Sequence, residues 1–397
     1  MNNQPEYLPP VDGRIESAPE HQHLKDAFDL CVRKTRRNIQ SLADAPKSAA
    51  WAVDGNYFNF HEGFNDIGNW TSSFFTGMAL IAWQETEDEY FLQQTQRLAS
   101  QYVAKIFTHH RNTMHDLGFL YSLYSVALYK LTREKIHREI GLQAAEVLSR
   151  RFNERADFIR AWGSMNTGEF NDMAIIDCMM NLPLLYWASQ ESGDQRYHDI
   201  AIRHANTTLK NFIRPDGSVY HAYRFDLNTG KPLRGDTYGG CQVESHWARG
   251  TAWAIYGFAL SYRYTRDQKY LDASLRLAKK FISSLDAAVV PLWDFKPAPG
   301  TPLIRDASAA SVAVCGFQEL ARHHVADLAI LQAKNALLDR LCSPQYLNFD
   351  ENCPGIQRDG QVGDGQPGGA QNAYTSWGDY YLMEALAWEL FQFETWW

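Results

Sequence analysis

Two aspartates carry the most chemical information in this chain. Asp177 lies in the otherwise apolar run from Ile175 to Trp187. A bare carboxylate there is costly to bury unless it is hydrogen-bonded, paired or protonated. Desolvation raises its pKa towards the range where it can hand over a proton near neutral pH. The same run is compatible with a core aspartate that cross-links helices. Asp116 stands in Met114-His115-Asp116-Leu117-Gly118, at the head of an apolar segment. It reads either as a helix N-cap or as a carboxylate at the mouth of a cavity with His115 beside it. If both faced one cavity, they would form a general acid/base pair in which each charge raises the other's pKa. A third group is Trp247, Arg249 and Trp253. Positions 249 and 253 share a helix face. An arginine there needs an anion, supplied by a core carboxylate or by a ligand carboxylate among aromatic platforms. Trp70, Trp162, Asn166, His221 and Trp377 are further candidates, although each taken singly reads as core before ligand-binding.

These residues sit in a chain that reads as all-α. Apolar residues recur at helical spacing in segment after segment. Polar-faced helices begin near Leu24, Glu89, Glu134, Arg196, Lys269 and Ala326. Helices apolar on all sides span Trp70–Gln84, Asp116–Leu131, Met173–Gln190, Trp247–Tyr264, Asp306–Ala321 and Trp377–Phe393, and are therefore buried. The two kinds alternate six times, which suggests a closed (α/α)6 toroid of six inner and six outer helices. Three outer helices share an acidic header before a Tyr: Asp88 before Tyr90, Asp194 before Tyr197 and Asp267 before Tyr270. The Asp is expected to cap and the Tyr to pack inward. An open solenoid would want polar terminal caps, whereas the chain closes on Phe391-Gln-Phe-Glu-Thr-Trp-Trp397. One barrel domain is expected over 24–397, after an N-terminal extension at 1–23. A hairpin is expected around Gly217–Phe225, before Asn228-Thr229-Gly230.

Several functions are disfavoured. The net charge of −8 and the lack of a basic stripe argue against nucleic acid. No apolar run approaches the roughly 20 residues of a membrane span, and the first residues do not resemble a signal peptide. The six cysteines are scattered without a Cys-x-x-Cys pair, which fits a reduced cytoplasmic protein. No His/Cys/carboxylate spacing suggests a metal, and no phosphate loop or nucleophile elbow is present. No cofactor is expected. Oligomeric state is not legible.

Taken together, His115-Asp116-Leu117-Gly118-Phe119, Ile176-Asp177 with Met180-Asn181-Leu182-Pro183, Trp247-Ala248-Arg249-Gly250 with Trp253, and Trp377-Gly378-Asp379-Tyr380-Tyr381 resemble the unsaturated glucuronyl hydrolases, glycoside hydrolase family 88. The resemblance runs from about Phe64 to Leu390 and implies the (α/α)6 barrel. It also implies release of a 4,5-unsaturated uronic acid from the non-reducing end of lyase-generated oligosaccharides, by hydration of the C4=C5 vinyl ether. Asp177 would be the acid and Asp116 its partner. Trp70, His115, Trp162, His221, Trp247, Arg249 and Trp253 would surround the sugar. Two stretches depart from the pattern. Tyr238–His246 places Glu244 and His246 where the resemblance assigns no role, and the 359–373 loop lacks Lys and Arg, which leans away from strongly sulfated substrates. Unsaturated rhamnogalacturonyl hydrolases, inverting glycosidases of the same fold, sugar epimerases and helical scaffolds are the alternatives.

Overall fold

The acidic headers behave as their sequence predicts. Asp88, Asp194 and Asp267 each accept the backbone N–H two residues on, from Tyr90, Arg196 and Lys269. Tyr197 and Tyr270 are buried and Tyr90 is half-buried. Just before each Asp the chain turns through a positive φ, at Glu87, Gly193 and Arg266. One helix therefore ends and the next begins within two residues.

The computed structural model describes residues 21–45, 47–59, 63–362 and 372–397. The expected N-terminal extension lies outside the described residues up to position 20, as does the poorly cationic loop from 363 to 371. In chain order the helices are α1 (Gln22–Asp44), α2 (Ser72–Thr86), α3 (Glu89–Gln96), α4 (Ala99–Val103), α5 (Leu117–Tyr121), α6 (Ala127–Thr132) and α7 (Lys135–Ser149). They continue with α8 (Leu182–Ser192), α9 (Gln195–Asn211), α10 (Ala248–Thr265), α11 (Gln268–Ser283), α12 (Ala307–Arg322), α13 (Leu328–Leu341) and α14 (Ser376–Phe391). A π-helical turn, Ser122–Val126, joins α5 to α6 into one inner helix.

The inner helices α2, α5–α6, α8, α10, α12 and α14 contact one another in sequence, and α14 returns to α2. The outer helices α1, α3–α4, α7, α9, α11 and α13 pack around that ring. This is the (α/α)6 barrel. Every inner helix starts at the same end. The tight turns after Glu87, Gly193 and Arg266 lie at the opposite end. Long connections therefore gather where the inner helices begin, and they carry the residues singled out above. Among the described residues no helix is long and apolar enough to cross a membrane.

One expected helix is shorter than its sequence suggested. Met173–Ile175 is a strand, Ile176–Met180 is a 3-10 turn, and α8 begins only at Leu182. Pro183 explains the break. Its ring would clash with the carbonyl four residues back in a continuous helix, but it is tolerated in a first turn. Asp177 is thereby moved from a helix face into a tight turn. The strand before it pairs with Ala222–Phe225, which pairs in turn with Pro232–Asp236. The expected hairpin thus exists, displaced a few residues towards the C-terminus.

The apolar C-terminal segment is used inside the barrel. Trp397 is fully buried and stacks on Tyr381 with centroids 6.1 Å apart. Its Nε1 donates to Glu384 at 2.9 Å. Glu384 also accepts from Tyr256 at 2.7 Å, from Thr395 at 3.2 Å and from Tyr380. A buried acceptor with four donors is expensive to lose, because each donor is then left unsatisfied. Glu384→Ala is expected to lower unfolding stability by at least about 3 kcal/mol, measured by urea denaturation; a loss below about 1 kcal/mol would show that water replaces the carboxylate.

Candidate active site

Asp116 directly precedes α5, yet its carboxylate makes no capping hydrogen bond. The cap reading of its motif is therefore not realised. The side chain is almost enclosed and lies 3.4 Å from His115 Nε2. His115 is fully buried, and burial with nearby Arg151 holds its pKa well below the usual value, so it is a neutral neighbour. Burial and repulsion from Asp177 push the Asp116 carboxyl up to about 8, against the pull of Arg151 and Lys105. Burial likewise lifts Asp177 to about 7, opposed by Arg249. Two such groups titrate as a pair, and repulsion keeps a proton between them near neutrality.

The spacing of the pair is set by Asn181. Its Oδ1 accepts the Phe119 N–H at 2.9 Å, and its Nδ2 donates to the Asp177 carbonyl at 3.4 Å. One amide thus ties the helix that follows Asp116 to the turn that carries Asp177. The approach is possible because residue 118 is glycine: a Cβ there would come within 2.3 Å of Asn181 Cα.

Asp177 Oδ2 is buried without a hydrogen-bond partner, and His221 Nε2 lies 3.6 Å away. The tautomer of His221 follows from its other nitrogen. Nδ1 accepts the backbone N–H groups of Tyr238 (3.0 Å) and Gly239 (2.8 Å), so it carries no proton. In the neutral ring the proton is on Nε2, directed at Asp177. Burial lowers the His221 pKa to about 3, with help from Arg249. The unusual Tyr238–His246 stretch builds this arrangement. Asp294 holds it by accepting the N–H groups of Cys241 (3.0 Å) and His246 (2.9 Å), and Trp293 Nε1 donates to Gly239 O at 2.8 Å. His246 is buried against Thr251 at 2.9 Å, and Glu244 is exposed near Arg214.

The remaining residues form a continuous arc. Trp70 stacks on Trp377 at 5.2 Å. The Arg249 guanidinium lies 5.0 Å from the Trp377 ring and 4.9 Å from the Trp247 ring. Trp247 lies 4.5 Å from His221, and His221 lies 6.1 Å from both Trp162 and Tyr238. Arg249 is held by Asp306 at 2.7 Å, Gln361 O at 2.7 Å and Ser308 at 3.3 Å, all through Nη1. The core carboxylate that this arginine required is therefore present. Asp306 also caps α12 through Ser308 and Ala309.

The fold thus brings together Asp116, Asp177, Trp70, Trp162, His221, Trp247 and Arg249. It places His115 and Trp253 behind them. Both are 0% exposed and present no surface to a ligand. That corrects the expectation that they touch the sugar: Trp253 packs edge-on against Phe119 and Tyr381, in the layer under the arc. Asn166 is exposed beside Arg111. Asn181, Tyr238, Asp294 and Asp306 went unassigned from sequence. Only Asn181 carried a signal, as a polar residue within the apolar run.

Comparison with known proteins places the chain in a family and a fold. The family model described as Glycosyl Hydrolase Family 88 matches residues 35–290. The chain belongs to that family. It is 32% identical over 369 residues to the unsaturated chondroitin disaccharide hydrolase of Streptococcus pyogenes serotype M1, covering 92% of this chain and 90% of that one. The crystal structure of the unsaturated glucuronyl hydrolase of Bacillus sp. GL1 superposes with a TM-score of 0.84 at 32% identity, covering 92% and 96% of the two chains. A mutant of the Streptococcus agalactiae unsaturated glucuronyl hydrolase, complexed with dGlcA-GalNAc6S, superposes with a TM-score of 0.79 at 26% identity over the whole of both chains. As a family 88 member the chain is a glycoside hydrolase.

The tautomer of His221 is directly testable. Its ring 15N resonances should report a neutral imidazole protonated at Nε2, with no titration from pH 8 down to about 5. A proton on Nδ1, or titration near 6.5 as in an unperturbed histidine, would contradict the geometry.

Proposed function

We propose that this chain is an unsaturated glucuronyl hydrolase, with Asp177 as the proton donor and Asp116 as its partner. The observation that carries the reading is a pair of buried, mutually repelling carboxylates beneath an arc of aromatic rings and one fixed cation. The substrate is a 4,5-unsaturated uronic acid at the non-reducing end of an oligosaccharide. Its ring faces are apolar enough to lie on Trp70, Trp162 and Trp247. Its carboxylate is met by the positive charge of Arg249.

The vinyl ether is the reacting group. Asp177 transfers its proton to C4, and positive charge develops at C5. The ring oxygen shares that charge, and Asp116 stabilises it in the state of the pair that carries the shared proton on Asp177. Water then adds its oxygen to C5 and gives a proton to the ionised Asp177, which restores the acid. The product is a hemiketal at C5. It opens to a ketone, and C1, now a hemiacetal, releases the neighbouring sugar. The glycosidic bond is never attacked directly. His221 keeps an N–H towards Asp177 throughout, because its other nitrogen is occupied. The free state of all six cysteines agrees with a reducing, cytoplasmic setting.

The same burial that tunes the pair costs stability. A carboxyl whose folded-state pKa is raised favours folding less as pH rises past its unfolded value. A neutral amide at 177 escapes that cost. Asp177→Asn is therefore expected to lose about 10³-fold or more in kcat and to unfold no more easily than wild type at pH 7. Wild-type activity should fall as pH rises past about 7, where Asp177 gives up its proton. Kinetics on lyase-generated unsaturated disaccharides, with thermal unfolding in parallel, provide the check. Retained turnover in folded Asp177→Asn would remove Asp177 from the acid role.

A further inference from the structure

Arg151 lies just beyond α7, on the outer layer, and is 2% exposed. Its guanidinium meets no carboxylate at ion-pair distance among the described residues. It donates instead to five backbone carbonyls. Nε reaches Arg160 O at 2.9 Å and Nη1 reaches Thr113 O at 2.6 Å. Nη2 reaches Ala161 O at 3.2 Å, Trp162 O at 3.0 Å and Gly163 O at 3.1 Å. Those carbonyls belong to two segments distant in sequence. Thr113 leads into His115-Asp116. Arg160–Gly163 carries Trp162, one end of the aromatic arc. The segments also share a bond of their own, His115 N to Ala161 O at 3.0 Å.

We propose that Arg151 is a positioning residue of the reaction: it holds the Asp116 segment against the Trp162 segment and leaves its unpaired charge to act on Asp116. A clamp between backbone segments does not require a buried cation, and burying one without a counter-ion is costly. Carbonyl oxygens satisfy the N–H groups without neutralising the charge. Its field therefore falls on the nearest buried acids. The cations that act on Asp116 are Arg151 and Lys105, which follows α4 and whose Nζ is held by the carbonyls of Phe64 (2.8 Å) and Asp66 (3.2 Å). Asp177 opposes both cations, and His115 beside it is neutral. Arg160 repels Arg151 and is itself spent on the carbonyls of Trp162, Ser164, Thr167 and Glu169. Without Arg151, Asp116 would hold its proton to higher pH.

The proposal rests on Asp116 and Asp177 being the reacting pair, and two variants separate its parts. Arg151→Lys keeps a charge but cannot span the five acceptors. Arg151→Met removes charge and clamp together. For each, kcat, KM and the pH dependence of kcat/KM are measured per folded molecule on an unsaturated disaccharide. Arg151→Lys should lose about a hundredfold in kcat, the cost of misplacing reacting groups by ~1 Å, with the basic limb of the profile unmoved. Arg151→Met should lose more and shift that limb to higher pH, because a cation that favoured the ionised pair is gone. A merely structural arginine would change the yield of folded protein and leave kcat and the limb at wild-type values, and that result overturns the proposal. If Arg151→Met does not fold, near-wild-type kcat in Arg151→Lys overturns it equally. Wild-type protein that leaves the uronate untouched would sink the hydrolase reading, and this proposal with it.

Discussion

Asp116 and Asp177 repel one another in a place where neither is well solvated, and most of the surrounding structure bears on that repulsion. Burial raises both carboxyls, while Arg249, Arg151 and Lys105 pull in the opposite direction. The balance leaves a proton on the pair near neutral pH. Asn181 fixes how closely the two chain segments approach, and Gly118 makes room for it. His221 contributes a neutral donor rather than a second cation, because two backbone N–H groups occupy its Nδ1. A charged imidazole there would draw Asp177 into an ion pair and spoil it as an acid.

The barrel provides such a site by separating two tasks between its ends. At one end inner helices pass to outer helices through two-residue turns capped by Asp88, Asp194 and Asp267. At the other end the connections are long, and every inner helix presents its N-terminus. Backbone N–H groups and their partial positive charge gather there, which suits an anionic uronate. The interior between the ends is filled. Trp397 enters from the turn end and is satisfied by Glu384, so the funnel has a floor made of aromatic rings.

Much of this was legible in the residues. Alternating amphipathic and wholly apolar segments identified the inner and outer layers, because burial on one side or all sides leaves different periodicities. Asp177 was conspicuous since a carboxylate in an apolar run has few bland explanations. What periodicity could not reveal was local backbone geometry. The 3-10 turn under Asp177 follows from Pro183, whose effect on the preceding turn is invisible to an apolarity count. The cap reading of Asp116 failed for a related reason: the motif of a cap and that of a carboxylate at a helix start are the same until the side chain is located. His115 and Trp253 carried the right residue types but lie behind the arc, a distinction of depth that spacing does not encode. The partners of Glu244 and His246 were out of reach because Arg214 and Thr251 are ordinary residues brought beside them only by folding.

The central claim is that the double bond is consumed by hydration and that bond scission follows from it. The most direct measurement follows two signals in one reaction of an unsaturated disaccharide: ultraviolet absorbance of the conjugated uronate and release of the neighbouring sugar. Hydration requires the absorbance to disappear in proportion to sugar released, from the first time point. Sugar release with the absorbance retained would mean direct attack on the glycosidic bond and would contradict the account.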